Sequence, residues 1–546
     1  MSVVTASILS DAAKIDAIYE LISIDVRRQI NRIPHATLVL LDGDAARRKF
    51  DLSDAKYFEP GKEIEVKLRY ESETEDATIF KGPVVRHGIE ASVQGSLLRV
   101  ELKDAAVKLT RGRKSMVYVD TDDATLIGKL ISDGGLKSGI IDPTTPKHAQ
   151  IVQYYCTDWD FLVARAESQG LLTVAEDGVV SARKPELSGE AKHSFEYGVD
   201  EIYDFEFELD ASDQYEKVQS TGWDIKECKL TAAAEAKAFA LSQGNVDGAK
   251  LAKTVGFVPV QLSHTVAITP EELQSWADGR LMRSRMSLLR GRVSAEGLAD
   301  VKLLDVMAVD GVGERFNGKT LVTGICHRVD VDGWRTDIQF GMSAREFAFE
   351  NEIEDAPSAG LLPAISGLHV GVVDKFEEDP DKQFRVKVIL PGIDEKSGSV
   401  WARLAAPDAG KGRGWFLRPE TGDEVVVGFF SNDPRQPVIL GAMFGPKNSP
   451  PDDYSALSAD NKNKVIVTKT GSVIGFLDDQ KGSIFIKTKE GAQIQLDDTA
   501  KSLSMVDQNG NELTMDQNGI ALKSAKDFKV EASGNVEIKG AKVDVK

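Results

Sequence analysis

The chain has 546 residues, and 86 acidic against 67 basic side chains give it a formal net charge of −19. This length requires several domains, and a hydrophobic content of 42% is ordinary for globular proteins. The acidic excess opposes binding to nucleic acid or to an anionic membrane surface, so we expect no nucleic-acid partner.

Cysteine usage and the N-terminus predict folding in a reducing compartment. Cys156, Cys228 and Cys326 are odd in number and far apart, so they predict no disulfide framework. Residues 1–21 lack a basic start followed by a continuous apolar run. We therefore expect synthesis in the cytoplasm without a signal peptide.

Strand and turn signals dominate residues 1–110 and 201–355. Asp42-Gly43-Asp44 and Pro60-Gly61 are turn signals, and polar and apolar residues alternate from Ile64 to Leu68 and from Phe205 to Leu209. Taken alone, these patterns predict only antiparallel β-structure.

Two helices are expected, one between these regions and one within the second. Thr157, with Asp160 three residues later, predicts an N-cap, and Gly170 predicts the end of that helix. Its predicted buried residues are Trp159, Leu162, Val163 and Ala166. A second helix begins at 269–272, and the basic residues along and beyond it predict a solvated face or an interface with an acidic partner: Arg280, Arg283, Arg285, Arg290 and Arg292.

Residues 366–446 predict a small Greek-key barrel of the OB type. The five strand candidates are 367–376, 384–390, 400–404, 414–430 and 438–444. Trp401, Trp415 and Phe416 could stack on bases, but few basic residues line up with them, so nucleic-acid binding has weak support. An OB-centred carbohydrate or nucleic-acid module remains an alternative.

The C-terminal residues 464–546 repeat an apolar-polar-apolar unit followed by a short turn. The units start at Ile484, Ile494, Leu503, Leu513, Ile520, Phe528, Val536 and Val543, and Asp-Gln-Asn-Gly at 507–510 and 516–519 supplies turns. Such short strands cannot enclose a core in a single ribbon, so we expect three chains to intertwine in a triangular prism. A single-chain β-helix or an edge-protected meander remains the alternative.

Signatures of catalysis are absent from the sequence. The histidines are scattered singly, and neither HExxH, a phosphate loop nor a GxSxG elbow occurs. The acidic clusters at 71–76 and 377–381 are expected to be solvated loops, and His327 a hydrogen-bonded structural residue. We predict no catalytic, cofactor-binding or metal site, and no cofactor; a trimeric β-helical polysaccharide depolymerase with two carboxylates in a groove is the enzymatic alternative.

The amino-acid sequences of several segments resemble those of one protein family. The segments 31–34, 42–44, 60–66 and 80–82, together with 315–324 and 333–336, resemble the hub domain of VgrG spike proteins and of phage tail hubs. The segments 414–419, 422–425 and 433–437 resemble the OB domain of baseplate spikes.

The resemblance implies a mainly β fold with minor α content, built from β-barrel hub domains, an OB-fold barrel and a C-terminal intertwined trimeric β-prism, or β-helix. The implied segments are a first hub barrel half at 1–110, an inserted α+β region at 111–200, a second barrel half at 201–355, an OB adaptor at 366–446, a linker at 447–463 and the prism at 464–546.

The resemblance also implies a mechanical function, not an enzymatic one. The chain is expected to be the homotrimeric central spike of a contractile injection machine, such as a type VI secretion system or a phage-tail-like particle. Implied partners are an inner tube protein, baseplate proteins, a PAAR-type tip protein docking on Val543, Asp544, Val545 and Lys546, effector cargo, and a target membrane contacted mechanically. The assembled particle would act extracellularly or in the target cell envelope.

Overall fold

The computed structural model describes residues 3–15, 19–93, 95–256, 259–394, 398–456, 458–479 and 481–546. They form two compact units, Met1–Asp355 and Ala356–Lys546. Both units are built mainly from strands, and the α-helices among the described residues belong to the first, which confirms the expected mainly β fold with minor α content.

The elements of the first unit follow in chain order. Its strands are β1 Val4–Ser10, β2 Ala13–Lys14, β3 Leu21–Gln29, β4 His35–Leu41, β5 Glu63–Tyr70, β6 Ala77–Ser92, β7 Gly95–Lys103, β8 Lys114–Asp122, β9 Lys137–Ile141, β10 Lys147–Cys156, β11 Leu172–Glu176, β12 Val179–Arg183, β13 His193–Glu196, β14 Ile202–Leu209, β15 Val218–Thr221, β16 Trp223–Asp224, β17 Lys229–Leu230, β18 Ala234–Glu235, β19 Ser242–Gln243, β20 Val260–Ser263, β21 Leu289–Glu296, β22 Val306–Asp310, β23 Gly318–Asp330 and β24 Gly333–Phe340. Its helices are α1 Asp123–Asp133, α2 Asp158–Ser168, α3 Gly248–Val255, α4 Pro270–Met286 and α5 Phe347–Glu350.

A 14-stranded sheet joins the two predicted barrel regions. Its main path runs β14-β21-β24-β23-β3-β4-β7-β6-β5-β1-β2, so strands from both ends of the unit meet where β23 pairs with β3. The predicted alternation is confirmed on β5, where Ile64, Val66 and Leu68 are fully buried and the residues between them are not. Polar and apolar residues alternate in the sequence because one face of each strand is buried and the other is not.

Helix α2 forms as its sequence predicts. The Thr157 hydroxyl accepts a hydrogen bond from the Asp160 N–H at 3.1 Å, and the helix ends just before Gly170, whose φ is +68°. The expected buried residues Trp159, Leu162, Val163 and Ala166 lie in one core cluster with residues of α1.

The basic residues of α4 depart from the prediction of a solvated face. Arg283 and Arg285 are buried. Arg283 pairs closely with Glu167 of α2, and Arg285 donates to the Tyr215 carbonyl at 2.7 Å. A guanidinium group can be buried when its N–H donors have hydrogen-bond acceptors. The acceptors of Arg283 and Arg285 lie far from α4 in the sequence, so the sequence of the helix alone does not reveal them.

The second unit contains a barrel and a ribbon. Its strands are β25 His369–Val373, β26 Val386–Ile389, β27 Ser399–Leu404, β28 Ala409–Gly410, β29 Arg413–Gly414, β30 Glu424–Phe429, β31 Pro437–Ala442, β32 Asn463–Val467, β33 Val473–Leu477, β34 Ser483–Lys487, β35 Gln493–Asp497, β36 Ser502–Val506, β37 Glu512–Asp516 and β38 Gly519–Lys523.

The barrel has the predicted five strands. It closes in the order β25-β26-β27-β31-β30 around buried Val388, Val425 and Val427. One detail is wrong in the prediction: Asp379, expected in a solvated acidic loop, is buried and pairs with Arg385 at 2.7 Å. Its carboxylate also accepts backbone N–H groups from within the loop, so it organises the turn.

Strands β32 to β38 form a 7-stranded antiparallel sheet in strict chain order, which we call the ribbon. Its strands match the predicted repeat as far as Lys523. The predicted strands at 528–530, 536–538 and 543–545 are wrong for the single chain, because residues 524–546 contain no strand. An alternating pattern specifies a strand only where a second strand is available to complete its hydrogen bonds.

Candidate functional site

The ribbon presents one continuous apolar face. The second and fourth residues of its strands lie on this face, and regular pairing places them side by side, as in Ile474 opposite Ile486 and Phe476 opposite Ile484. The face consists of two columns. One contains Phe476, Ile484, Leu496, Leu503, Met515 and Ile520, and the other contains Ile466, Ile474, Ile486, Ile494, Met505, Leu513 and Leu522.

Most of these apolar side chains remain accessible in the single chain. Ile494 is 37% exposed, and exposure rises to 69% at Ile520 near the last strand. Isolated exposed apolar residues are normal on proteins, whereas a contiguous apolar face of this kind marks an interaction site. The face is therefore a candidate surface for packing against another partner.

The opposite face changes character along the ribbon. Near its start, the Phe485 ring lies over Gly475, where an added Cβ would come within 2.4 Å of the ring, and Tyr454 stacks on Phe485 with ring centroids 6.3 Å apart. From β35 onward this face is polar, as where Gln495 donates to the Asp497 carboxylate at 3.2 Å. From β35 onward, the ribbon therefore has one apolar face and one mainly polar face.

Three turns at one edge of the ribbon share the same construction. Thr468, Thr488 and Asp507 each accept a hydrogen bond from the backbone N–H four residues later, at 3.0 to 3.1 Å. The glycine before that N–H has positive φ in each turn, for example +96° at Gly491. The turns set the register that keeps the two apolar columns aligned.

A groove beside the second apolar column contains carboxylates, and Asp507 among them does not suit the acid role in glycoside hydrolysis. Asp507 and Glu512 line this groove. Hydrogen bonds from Asn511 lower the pKa of Asp507 to about 2, and Glu512 accepts from the Thr514 hydroxyl at 2.8 Å. A glycosidase needs an acid whose pKa is raised, so this groove does not favour the depolymerase alternative.

The predicted tip residues Val543 to Lys546 lie in the segment 524–546, which contains no strand. Val543 and Val545 are exposed, and Asp544 pairs with Lys542 at 2.6 Å. The segment also exposes the apolar pairs Phe528 and Val530, and Val536 and Ile538. Docking of a tip protein on residues 543–546 stays a prediction.

The aromatic residues of the barrel have basic neighbours that the sequence did not reveal. The Lys387 ammonium lies 5.2 Å from the centre of the Trp401 ring, and the Arg418 guanidinium lies 5.2 Å from that of Phe416. The expectation of few aligned basic residues is therefore wrong. Strand pairing places Lys387 directly opposite Trp401, and only the pairing register of β26 and β27 could have indicated it.

The buried titratable groups of the first unit have structural partners. His327 is buried, its Nδ1 lies 3.0 Å from the Thr336 hydroxyl, and burial lowers its pKa to about 3. Glu167 accepts from the Asn31 amide at 2.7 Å as well as from Arg283. Burial raises the pKa of Glu167, while the adjacent Arg283 opposes that shift.

In the part of the chain that the structure describes, no group of three or more His, Cys, Asp or Glu side chains could hold a metal ion. Among the helices described, none is both long and apolar enough to cross a membrane. All three cysteines are free thiols.

Two family models match the chain. Residues 1–330 match the Alg8 N-terminal domain, and residues 369–444 match the type VI secretion system/phage-baseplate injector OB domain. The second match coincides with the closed barrel and confirms its OB type.

Individual proteins similar to this chain carry the name VgrG. The chain is 28% identical over 237 residues to the type VI secretion system spike protein VgrG1b of Pseudomonas aeruginosa, a match that covers 40% of this chain and 31% of that protein. It is 33% identical over 132 residues to the actin cross-linking toxin VgrG1 of Vibrio cholerae, covering 22% of this chain and 12% of that protein. The match to VgrG1b thus spans about a third of that relative's length, and the similarity to VgrG spikes is confirmed.

A solved structure of a type VI secretion system component has a similar fold over much of the chain. The E. coli c3393 protein, described as a component of the type VI secretion system similar to the T4 tail proteins gp27 and gp5, covers 80% of this chain and is itself covered to 99%, with 13% identity and a TM-score of 0.40.

Proposed function

The chain belongs to the family of the Alg8 N-terminal domain, and on that premise we propose that it is the central spike of a contractile injection machine. The similarity to VgrG spike proteins and the injector OB domain support this function. In the proposed machine, the first unit connects to the tube and baseplate, the OB barrel is an adaptor, and the ribbon extends towards the target membrane.

The unpartnered apolar face of the ribbon carries the proposal. Transfer of one Ile or Leu side chain from water into a core contributes about 1.5–3 kcal/mol, so burial of two complete columns would drive strong association. Three ribbons, each turning its columns inward, would enclose a triangular prism with the polar face outside. The ladders within each ribbon would make such a prism stiff, as a piercing element requires.

The segment 524–546 fits the same assembly. Its apolar pairs continue the repeat, yet they have no ladder in one chain, and strands donated by the other two copies would complete their hydrogen bonds. We propose that the domain boundaries given above describe the spike. Residues Val543 to Lys546 would then form its blunt end and receive a PAAR-type tip protein.

The proposed action is mechanical. Sheath contraction would supply the force, the hub would contact an inner tube protein and baseplate proteins, and effector cargo could travel with the spike. The assembled particle would act outside the producing cell or in the envelope of its target. The actin cross-linking activity in the name of one relative belongs to that protein, whose match covers 12% of its length.

Measurement of native mass by light scattering tests the proposal. The full chain of 59.4 kDa should scatter as a trimer of about 178 kDa, which is 3 × 59.4 kDa. Ile494→Lys should shift the mass towards the monomer because it places an ammonium group in the apolar face. Gln495→Lys, on the opposite face of the same strand, is the matched control and should remain trimeric. A folded wild-type monomer would contradict the spike function.

A further inference from the structure

The chain leaves the first unit through a segment that has little regular structure. This segment, residues 341–355, follows β24 and ends at the boundary of the unit, and we call it the strap. All its residues are described, and they contain no strand and only one helix, the four-residue α5. A segment without strands has no backbone ladder to hold it in place, so side chains must anchor it instead.

The buried pair of Arg283 and Glu167 anchors the start of the strap. The Arg283 guanidinium donates to the backbone carbonyls of Ser343 and Arg345 at 3.0 and 2.8 Å. The Glu167 carboxylate accepts the backbone N–H of Phe347 at 2.8 Å. Hydrogen bonds from or to a charged group are stronger than neutral ones, so this pair holds three peptide groups of the strap firmly.

A second arginine anchors the end of the strap. The Arg113 guanidinium donates to the backbone carbonyls of Glu352 and Ile353 at 3.1 and 2.8 Å. It also donates to the Tyr155 carbonyl on β10 at 3.2 Å. Because a guanidinium presents its N–H donors in a rigid fork, one side chain ties the last residues of the strap to the body of the unit.

The middle of the strap is held by packing and by further arginines. Phe347 is 5% exposed and belongs to the core cluster that contains residues of α1 and α2. The Arg32 guanidinium lies 5.7 Å from the centre of the Phe347 ring and pairs with Glu350 at 3.1 Å. Arg280 pairs closely with Glu346. The strap is therefore anchored at its start, middle and end.

The strap connects the first unit to the OB barrel and the ribbon along the chain. In the proposed spike, force that passes along the chain between the two units loads the strap, so this inference rests on the proposed function. We propose that the arginine anchors make the strap a mechanical clamp, which stays attached to the first unit when the second unit meets the resistance of a target membrane. While one anchor is open, the others keep it close to its acceptors, so it closes again before the strap can peel away.

Optical tweezers applied to the full-length chain test the clamp. Handles attached through p-azidophenylalanine in place of Val331 and Leu361, which are 93% and 72% exposed, would load the strap, with one labelled chain in each particle. Detachment should appear as a step of about 40 Å, the gain expected when a segment of this length is extended at about 3.3–3.6 Å per residue.

Variants of the anchors give the comparison. At constant load, Arg113→Gln should release the strap about tenfold faster than the wild type, because it removes charge-assisted hydrogen bonds to carbonyls of the strap. Arg32→Gln, at a separate anchor, should also accelerate release. Both arginines are only partly buried, so both variants should fold. Arg111→Gln changes an exposed arginine close to Arg113 and is the matched control, which should release the strap as slowly as the wild type.

The native mass separates failure of the clamp from failure of the spike. Equal release rates for the wild type and both anchor variants, in particles of confirmed trimeric mass, would overturn the clamp and leave the spike function intact. A monomeric wild-type chain would overturn the spike function and, with it, the mechanical role of the strap.

Discussion

At the scale of single residues, the buried His327 predicts a specific pH dependence. Burial and the nearby Arg28 lower its pKa to about 3, well below the ordinary value near 6.5. As the pH falls below 6.5 the unfolded chain binds the proton first, so the free energy of unfolding is highest above 6.5 and falls progressively towards pH 3. Between pH 7.5 and pH 5 the loss should be about 2 kcal/mol.

His327→Gln should remove this pH dependence, because the amide keeps a partner for Thr336 but does not titrate in this range. Amide hydrogen exchange of β23 and β24 at pH 7.5 and pH 5 would measure the effect. Equal acid sensitivity of the variant and the wild type would show that other groups cause the loss.

A second prediction at this scale concerns Glu167 and Arg283. Both side chains are 6% exposed, and Glu167 also accepts the backbone N–H of Phe347 at 2.8 Å. Arg283→Ala leaves a buried carboxylate without its cation and should lower the free energy of unfolding by about 3–5 kcal/mol. Arg290→Ala is the control: its pair with Asp210 is partly exposed and should contribute about 0–1 kcal/mol. Similar losses for both variants in urea unfolding would contradict a special role for the buried pair.

At the scale of elements, the sequence predicts the structural features that depend on residues close together in the chain. The Thr157 cap and the strands of the barrel and ribbon are readable because a few neighbouring residues carry each signal. Burial of Arg283 and the placement of Lys387 on Trp401 depend on tertiary pairing and were missed. Burial of Asp379 was also missed, because it depends on the conformation of its own loop, where Gln383 and Arg385 donate to its carboxylate. Residues 524–546 show a sharper limit: alternation predicts strands there, but none of the strands that the structure describes pairs with them.

The start of the ribbon gives a prediction for one element. Gly475 leaves room for the Phe485 ring, and Tyr454 stacks on that ring. Gly475→Val would displace Phe485 and should destabilise the ribbon by about 1–3 kcal/mol through overpacking. Gly392→Ala is a suitable control because an added Cβ there meets nothing within 4 Å. Calorimetry of both variants would compare their thermal midpoints, and an unchanged midpoint for Gly475→Val would contradict the proposed packing.

At the scale of the whole molecule, the ribbon and the segment after it should respond differently to assembly. Every strand of the ribbon pairs with at least one other strand of the same chain, so the ribbon needs other copies mainly to cover its apolar face. Residues 524–546 need other copies for their backbone hydrogen bonds as well, and ordering them costs conformational entropy that only association can offset. Strand formation there should therefore be coupled to trimer assembly.

Limited trypsin digestion should detect this coupling. The segment contains Lys526, Lys529, Lys539 and Lys542, all accessible in the single chain. In the wild-type trimer these sites should resist cleavage because the segment is paired between copies, whereas Ile494→Lys, which weakens association, should lose the segment rapidly. Gln495→Lys should behave as the wild type. If a wild-type trimer of confirmed mass lost residues 527–546 as fast as the Ile494→Lys variant, the segment would not be paired in the assembly, and the intertwined end of the spike would have to be abandoned.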